Sequence, residues 1–213
     1  MTTQLALYNG ALGHLGESEL GALTGDDDEG QARRSLDSVW QSGLFKDRVL
    51  IQGHWNFATR TTAIENTPSI TVSFGYAYAF DKPTDWLKTS AISGDPRFNT
   101  MLDYDDKGEY WFADPSTIYV KYVSKDDEYG YDLSIWTESF VAFVEAHLAW
   151  RVAMPITKNP KLRDDMWALQ KRLLSEARTV DGANEAVAYP PAGSWSTSRV
   201  GNRGGSSYGR RRY

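Results

Sequence analysis

The sequence predicts an α+β protein built from an antiparallel-type bundle of about four helices, an inserted β domain and an extended C-terminal tail. Apolar residues recur at helical spacing within residues 1–58 and again within 134–182, which assigns both segments to the bundle. Residues 59–133 hold short β-branched and aromatic runs separated by Pro, Gly and Asp, as strands and turns do. Residues 183–213 lack periodic apolar positions and form the tail.

The N-terminal segment has the spacing of a helix over residues 3–15. Thr2 or Thr3 is suited to cap its start, and Gly13 and Gly16 favour its end. The apolar positions are Leu5, Tyr8, Leu12 and Leu15.

A second helix is predicted over residues 29–52. The acidic run 26–29 favours a helix N-terminus, and Ser42-Gly43 is a place where the helix could bend. The apolar face consists of Leu36, Trp40, Leu44 and Ile51.

The middle of the chain is predicted to form seven strands. They cover residues 60–64, 69–74, 77–80, 87–92, 99–104, 109–113 and 117–124. Turns are expected at residues 81–84, 93–96 and 105–108, where Pro, Gly and Asp cluster.

Two more helices are predicted before the tail. The first ends at Met154-Pro155, and the second begins after Asn159 as N-cap and stops at Gly182. The apolar stripe of the first contains Phe140, Val144, Leu148 and Val152, and that of the second Leu162, Met166, Leu169, Leu173, Ala177 and Val180. We expect four residues of the second helix to be buried against Phe140, Val144 and Leu148 of the first, namely Leu162, Met166, Leu169 and Leu173.

Composition and motifs argue against catalysis and against a cofactor. The chain has no cysteine, which excludes disulfides, thiolate metal sites and thiol nucleophiles. The three histidines, His14, His54 and His147, do not have metal-ligand spacing, and the sequence contains no HExxH, GxSxG, GxGxxG or phosphate-loop motif. We therefore expect no catalytic residue, no metal and no cofactor.

A calcium-like pattern occurs at Asp103-x-Asp105-x-Lys107-Gly108, followed by Asp114. Lys107 occupies a ligand position and Asp114 replaces the bidentate glutamate of such loops, so a hairpin turn is the preferred interpretation. A pair of carboxylates could also serve a glycosidase, but with 28 acidic residues some pair always exists.

The formal charge of −5 is unevenly distributed, because residues 186–213 hold five arginines and no acid, which leaves about −10 on the body. We expect the tail to be disordered in the free chain and to become ordered by docking on a partner. The residues expected to bind the partner are Tyr189, Trp195, Arg199, Arg203, Tyr208, Arg210, Arg211, Arg212 and Tyr213. No signal peptide or membrane span is predicted, which indicates synthesis in a cytoplasm.

Several segments resemble the tail tubular protein A family, the head-to-tail adaptors of T7-like podoviruses. Leu-Gly-His-Leu-Gly-Glu at residues 12–17 resembles an early helix of the family, and Trp55-Asn56-Phe57-Ala58 resembles its Trp-Asn-Phe-Ala signature. Residues 78–87 resemble the next segment, although Asp81-Lys82 before Pro83 departs from it. The strand 118–123 and then Trp136, Phe140 and Ala149 complete a similarity that covers roughly residues 5–180.

The resemblance implies a virion protein without enzymatic activity. It implies a ring of twelve copies between the portal and the tail nozzle protein, with tail fibres as further partners and DNA passing through the channel. An acidic body suits a channel that DNA must slide past. Two alternatives are a nucleic-acid-binding module that uses the basic tail and a tail-associated cell-wall hydrolase.

Overall fold

The computed structural model describes residues 2–24, 30–41, 44–73 and 75–184, and within them the protein is α+β. The described residues form five α-helices and two three-stranded antiparallel sheets. The helices are α1 (Gln4–Leu15), α2 (Gly30–Trp40), α3 (Phe45–Leu50), α4 (Glu138–Thr157) and α5 (Pro160–Ala183). The strands are β1 (Thr59–Glu65), β2 (Tyr78–Asp81), β3 (Trp86–Ser93), β4 (Asp105–Lys107), β5 (Tyr110–Ala113) and β6 (Thr117–Ser124).

Both ends of α1 are closed by the expected residues. The Thr3 hydroxyl accepts a hydrogen bond from the Ala6 N–H at 3.2 Å, as an N-cap does. Gly16 adopts a φ of 73° and its N–H reaches the carbonyls of Leu12 and Gly13, which terminates the helix. Gly13 itself lies inside the helix, so Gly16 is the residue that stops it.

The single helix expected over residues 29–52 is wrong, because the chain forms α2 and α3 separately. The expected bend at Ser42-Gly43 lies outside the described residues, as does Glu29. The Trp40 and Phe45 rings lie 5.5 Å apart, so aromatic contact holds the two helices together across the break. Of the expected apolar face, Leu36 is fully buried, whereas Leu44 and Ile51 are exposed.

Helix α4 is the centre of the helical part and packs against α1, α2 and α5. Its expected stripe, Phe140, Val144, Leu148 and Val152, is fully buried. The predicted stop at Met154-Pro155 is wrong, because the helix continues to Thr157. Pro155 falls in the last turn, where the Thr157 hydroxyl donates to the Ala153 carbonyl at 2.7 Å.

Helix α5 begins as predicted, with the Asn159 side chain accepting from the N–H groups of Lys161 and Leu162. The stop predicted at Gly182 is wrong by one residue. On the predicted stripe Met166 and Ala177 are buried and Val180 is exposed. The three leucines, Leu162, Leu169 and Leu173, pack against the helical core but are only partly buried.

The first sheet has the strand order β1-β6-β3, and the second β2-β5-β4. The strand expected at 117–124 is confirmed without change as β6, the central strand of the first sheet. Of its residues, Ile118, Val120 and Tyr122 point into the core between the sheets, and Lys121 lies on the other face, half-buried.

Two predicted strands are wrong. Residues 69–73 form no strand, and the Ile70 N–H instead closes a turn on the Thr67 carbonyl. In the expected strand 99–104, Met101 alone makes a bridge, to Ser93. Strand β4 occupies residues where a turn was expected, because the chain reverses at Gly108, which has a φ of 57°.

The described residues contain two apolar clusters. The helical cluster includes side chains of all five helices together with Trp55, Ala58, Val123 and Trp136. The other lies between the sheets and contains Phe80, Ile92, Trp111, Ala113, Ile118, Val120 and Tyr122. The division into a bundle (1–58 and 134–182), an inserted domain (59–133) and a tail (183–213) stays a prediction.

Candidate functional site

The segment Trp55-Asn56-Phe57-Ala58 forms the junction between α3 and β1. Trp55 is 1% exposed, and its indole N–H donates to the Leu50 carbonyl at 2.9 Å. Its ring centroid lies 4.6 Å from that of Phe140 on α4. The segment therefore anchors the first sheet to the helical cluster.

The last turn of α5 is tied to the same junction. The Asn56 N–H donates to both oxygens of the Asp181 carboxylate, at 3.0 and 3.2 Å, and the Asn56 amide donates to the Asp181 carbonyl at 2.8 Å. Asp181 is only 6% exposed, so its charge is placed in a largely buried position with hydrogen bonds to satisfy it. The junction thus joins α3, β1 and α5.

Two cations cover the C-terminal end of α3 beside this junction. The Arg178 guanidinium donates two hydrogen bonds to the Gln52 carbonyl, and Lys88 Nζ lies 3.3 Å from the Ile51 carbonyl. Positive charge is favourable there because the final carbonyls of a helix point outward without partners. These cations line a depression of about 480 Å³ together with Gln52, Gly53, His54, Trp55, Asp181 and Gly182.

A second depression, of about 650 Å³, continues onto the outer face of the first sheet and shares His54 with the first. The His54 Nδ1 atom lies 2.8 Å from the Ser90 hydroxyl oxygen. The other lining residues are Thr59, Thr61, Ala91, Pro96, Arg97, Phe98, Met101 and Lys121. None of these described lining residues is acidic, so the surface is basic in a chain with a formal charge of −5.

An acidic depression lies around Asp85 and is also lined by Asp47, Asp126 and Asp127. Burial of its carboxyl opposes ionisation, but hydrogen bonds from Ser124, Arg60 and Tyr122 outweigh it and hold the pKa of Asp85 below its usual value. The Ser124 hydroxyl is 2.5 Å away and the Arg60 guanidinium 3.1 Å. These hydrogen bonds satisfy the Asp85 carboxylate and join β6 to the start of β3, so the role of Asp85 is structural.

The calcium-like segment is a β-hairpin, as preferred from the sequence. Asp105 pairs with Lys107 at 2.6 Å within β4, and the Asp114 carboxylate accepts from the Ala77 N–H at 3.1 Å. No three His, Cys, Asp or Glu side chains within the described ranges are arranged to hold a metal ion. Among the described helices, none is long and apolar enough to cross a membrane.

The remaining histidines lie in the helical part. Burial lowers the pKa of His14 and of His147. His147 lies 2.6 Å from the Gln170 side-chain oxygen, between the rings of Phe143 and Trp150. It joins α4 to α5, which is the structural role expected from the sequence.

All nine residues expected to bind a partner, Tyr189, Trp195, Arg199, Arg203, Tyr208, Arg210, Arg211, Arg212 and Tyr213, lie outside the described residues. The description ends at Asn184, whose N–H closes the last turn of α5. The last described residue therefore lies next to Asp181 and the junction.

Sequence reasoning missed the basic surface. Its cations, Lys88, Arg97, Lys121 and Arg178, come from β3, the loop after it, β6 and α5, so no local motif marks them. A scan of the chain against protein-family models gives no match, and a search of curated proteins gives none either.

Proposed function

We propose that the chain is a structural head-to-tail adaptor of a short-tailed bacteriophage, forming a ring between the portal and the tail nozzle through which DNA passes. The observation that carries the proposal is the junction at Trp55-Asn56-Phe57-Ala58, the segment with the most specific family resemblance. It links the helices to the first sheet and to the last turn of α5 through buried contacts. A stiff connection of this kind suits a subunit that transmits load between a capsid vertex and a tail.

In this proposal α1, α2, α4 and α5 form the bundle that serves as the ring wall, and residues 59–133 form a domain that reaches neighbouring subunits and the nozzle. The ring has twelve copies, and tail fibres are further possible partners. The protein is made in the host cytoplasm and then resides in the virion, with no catalytic or cofactor role.

The tail is the proposed docking element for the portal or a neighbouring subunit. Its five arginines offer charge-assisted hydrogen bonds to carboxylates, and its aromatic residues offer apolar anchors between glycines. The described body ends beside the proposed docking element, because the Asn184 N–H reaches the carbonyls of Asp181 and Gly182 at the end of α5.

The test is truncation after Asn184, which preserves the whole of α5 and the Asp181 contact. We expect the truncated protein to keep its melting temperature but to lose capture by purified portal, measured by co-sedimentation. Replacing the five tail arginines by lysine keeps the charge but removes bidentate geometry, and replacing them by glutamine removes both. Unchanged portal capture by the truncated protein would refute the tail as docking element, and absence of capture by the intact chain would refute the adaptor.

The nucleic-acid alternative is favoured by the basic tail and predicts a different outcome. The intact chain would bind duplex DNA with a steep salt dependence, and truncation after Asn184 would abolish that binding whether or not portal is present. The adaptor proposal instead predicts that truncation after Asn184 abolishes portal capture. It also predicts that assembly does not depend on DNA binding by the tail.

A further inference from the structure

A pair of tryptophans lies at the surface where α4 and α5 pack together. The ring centroids of Trp150 and Trp167 are 4.7 Å apart, so the two indoles are in contact. Trp167 is 40% exposed, and Met154, one turn beyond Trp150 on α4, is 39% exposed. Apolar patches that are rimmed by polar residues mark interaction sites on soluble proteins.

Two cations accompany these indoles. Lys171 Nζ lies 4.4 Å from the centre of the Trp167 ring, and the Arg151 guanidinium lies 5.9 Å from the centre of the Trp150 ring. Neither cation forms an ion pair with a described acid. The two tryptophans, Arg151, Met154 and Lys171 form the tryptophan face. It combines residue types that are enriched in protein–protein interfaces with two positive charges.

The indole rings of this face already have neighbours. The Trp150 centroid lies 5.4 Å from that of His147 and 4.7 Å from that of Trp167, and Lys171 covers Trp167. A nucleobase needs an open ring face for stacking, whereas a carboxylate can pair with the two cations where they stand. The tryptophan face therefore favours a protein partner that carries carboxylates.

The acidic depression around Asp85 offers carboxylates on another part of the same chain. It has a volume of about 410 Å³, and its four aspartates are accompanied by Lys125. The Asp85 carboxylate is satisfied within the fold by Ser124 and Arg60. Asp127 and the adjoining Glu128 are exposed, so they are the carboxylates that a partner can reach.

We propose that the tryptophan face binds the acidic depression of a second copy of this chain. Arg151 and Lys171 of one copy then meet Asp127 and Glu128 of the next, and this charge complementarity orients the contact. The tryptophans supply the apolar area that carries most of the binding energy in such contacts. The inference rests on the proposed function, because it names one contact between neighbouring copies of the ring.

The two surfaces lie toward opposite ends of α4. The Trp136 indole N–H donates to the Gly130 carbonyl at 2.9 Å, which fixes the loop of the depression beside the start of the helix. Trp150 follows Glu138, the first residue of α4, by 12 residues, or about 18 Å along the helix axis. The contact therefore joins two different surfaces of identical chains. A heterologous contact of this kind closes into a ring when its rotation allows.

Reciprocal charge reversal tests the proposal on the full-length chain. The face variant is Arg151→Glu with Lys171→Glu, and the depression variant is Asp127→Lys with Glu128→Lys. We expect each variant alone to self-associate about 10-fold more weakly than the parent in sedimentation equilibrium, because like charges then face each other. An equimolar mixture of the two variants should regain association, because each reversed surface finds its complement on the other variant.

Trp167→Ala tests the apolar part of the contact. We expect it to weaken self-association about 30-fold, as truncation of an interface hot spot does. The melting temperature, followed by circular dichroism, shows whether this variant keeps the fold. The charge-reversed variants keep both indoles and test the contact independently of it.

Matched controls change the same charges elsewhere. Arg34→Glu with Arg97→Glu alters two exposed cations on α2 and on the loop after β3, and Glu65→Lys with Glu109→Lys alters two exposed acids. Both controls should associate like the parent. Raising salt from 0.1 M to 1 M should weaken the parent, since the Debye length falls from about 10 Å to about 3 Å.

Three outcomes would overturn the proposal. The first is a parent chain that stays monomeric at about 100 μM in low salt, where a micromolar contact would be saturated. The second is a mixture of the two variants that associates no better than either alone. The third is tight binding of single-stranded oligothymidine that only the face variant loses, which would assign the face to nucleic acid. Portal capture that persists in these cases would leave the adaptor function standing without this contact, and self-association without portal capture would refute the adaptor alone.

Discussion

Replacement of Trp55 by phenylalanine tests whether the junction stabilises the fold. The change removes the indole N–H that donates to the Leu50 carbonyl and opens a cavity next to Phe140. The Leu50 carbonyl keeps a weaker bond from the Gly53 N–H at 3.4 Å, so the lost hydrogen bond costs about 1 kcal/mol. The cavity adds about 1 to 2 kcal/mol, which gives a total of about 2 to 3 kcal/mol.

The measurement is equilibrium unfolding in urea followed by far-UV circular dichroism, because fluorescence would change with the number of tryptophans. Trp167→Phe is the matched control, since that ring is 40% exposed on α5 and the same substitution there should cost less than about 0.5 kcal/mol. Equal losses for the two variants would refute the reasoning. So would a loss below about 0.5 kcal/mol for Trp55→Phe, since the buried donor would then contribute nothing.

Two further predictions concern single buried groups. The Lys82 side chain is 6% exposed, and its Nζ lies 2.5 Å from the Asp106 carboxylate and 4.0 Å from the centre of the Trp86 ring. Lys82→Met should therefore lower the unfolding free energy by about 1 to 2 kcal/mol. Lys107→Met, at an exposed pair on the same strand, should change it by less than about 0.5 kcal/mol, and equal effects would contradict this assignment. Burial lowers the pKa of His147, so the unfolded chain takes up the proton first and stability falls as the pH decreases below about 6.5. Between about pH 7.5 and 5.5, His147→Gln should reduce the loss of unfolding free energy by up to about 1 kcal/mol, measured by urea unfolding. An unchanged pH dependence would show that the pKa of the ring is the same in the folded and unfolded chains.

Elements with a complete local signal were predicted well from the sequence. Strand β6 alternates buried and half-buried residues from Thr117 to Tyr122, and α5 starts with both an asparagine cap and a proline. Helix α1 carries its cap at Thr3 and its stop at Gly16. In each case the sequence pattern and the backbone hydrogen bonds of the termini lead to the same boundaries.

Elements that depend on a distant partner were predicted poorly. Residues 69–73 have β propensity but no described neighbouring strand pairs with them, and propensity alone does not form a sheet. The hairpin at Gly108 was displaced because Asp105 and Lys107 look like turn residues, whereas their pairing with Phe112 and Tyr110 makes them part of β4. Pro155 was taken as a helix end because proline lacks the N–H that would continue the helical hydrogen bonds, but α4 continues past it to Thr157.

The basic surface around Lys88, Arg97, Lys121 and Arg178 could not have been predicted, because these cations come from separate segments that only the tertiary structure brings near each other. Arg97 and Arg178 are 81 positions apart in sequence, and each looks like an ordinary surface charge in its own segment.

The segment that most resembles the adaptor family stabilises the fold of this chain. This determines which substitutions can test the proposed function of the protein. Trp55 fills the helical cluster, and Asn56 binds the end of α5. These contacts would be needed in any protein that joins α3, β1 and α5 in this way, whatever its partner. Substitutions there are therefore expected to change stability and not partner choice. The adaptor proposal is decided instead at the tail after Asn184, because truncation there leaves the described junction contacts intact.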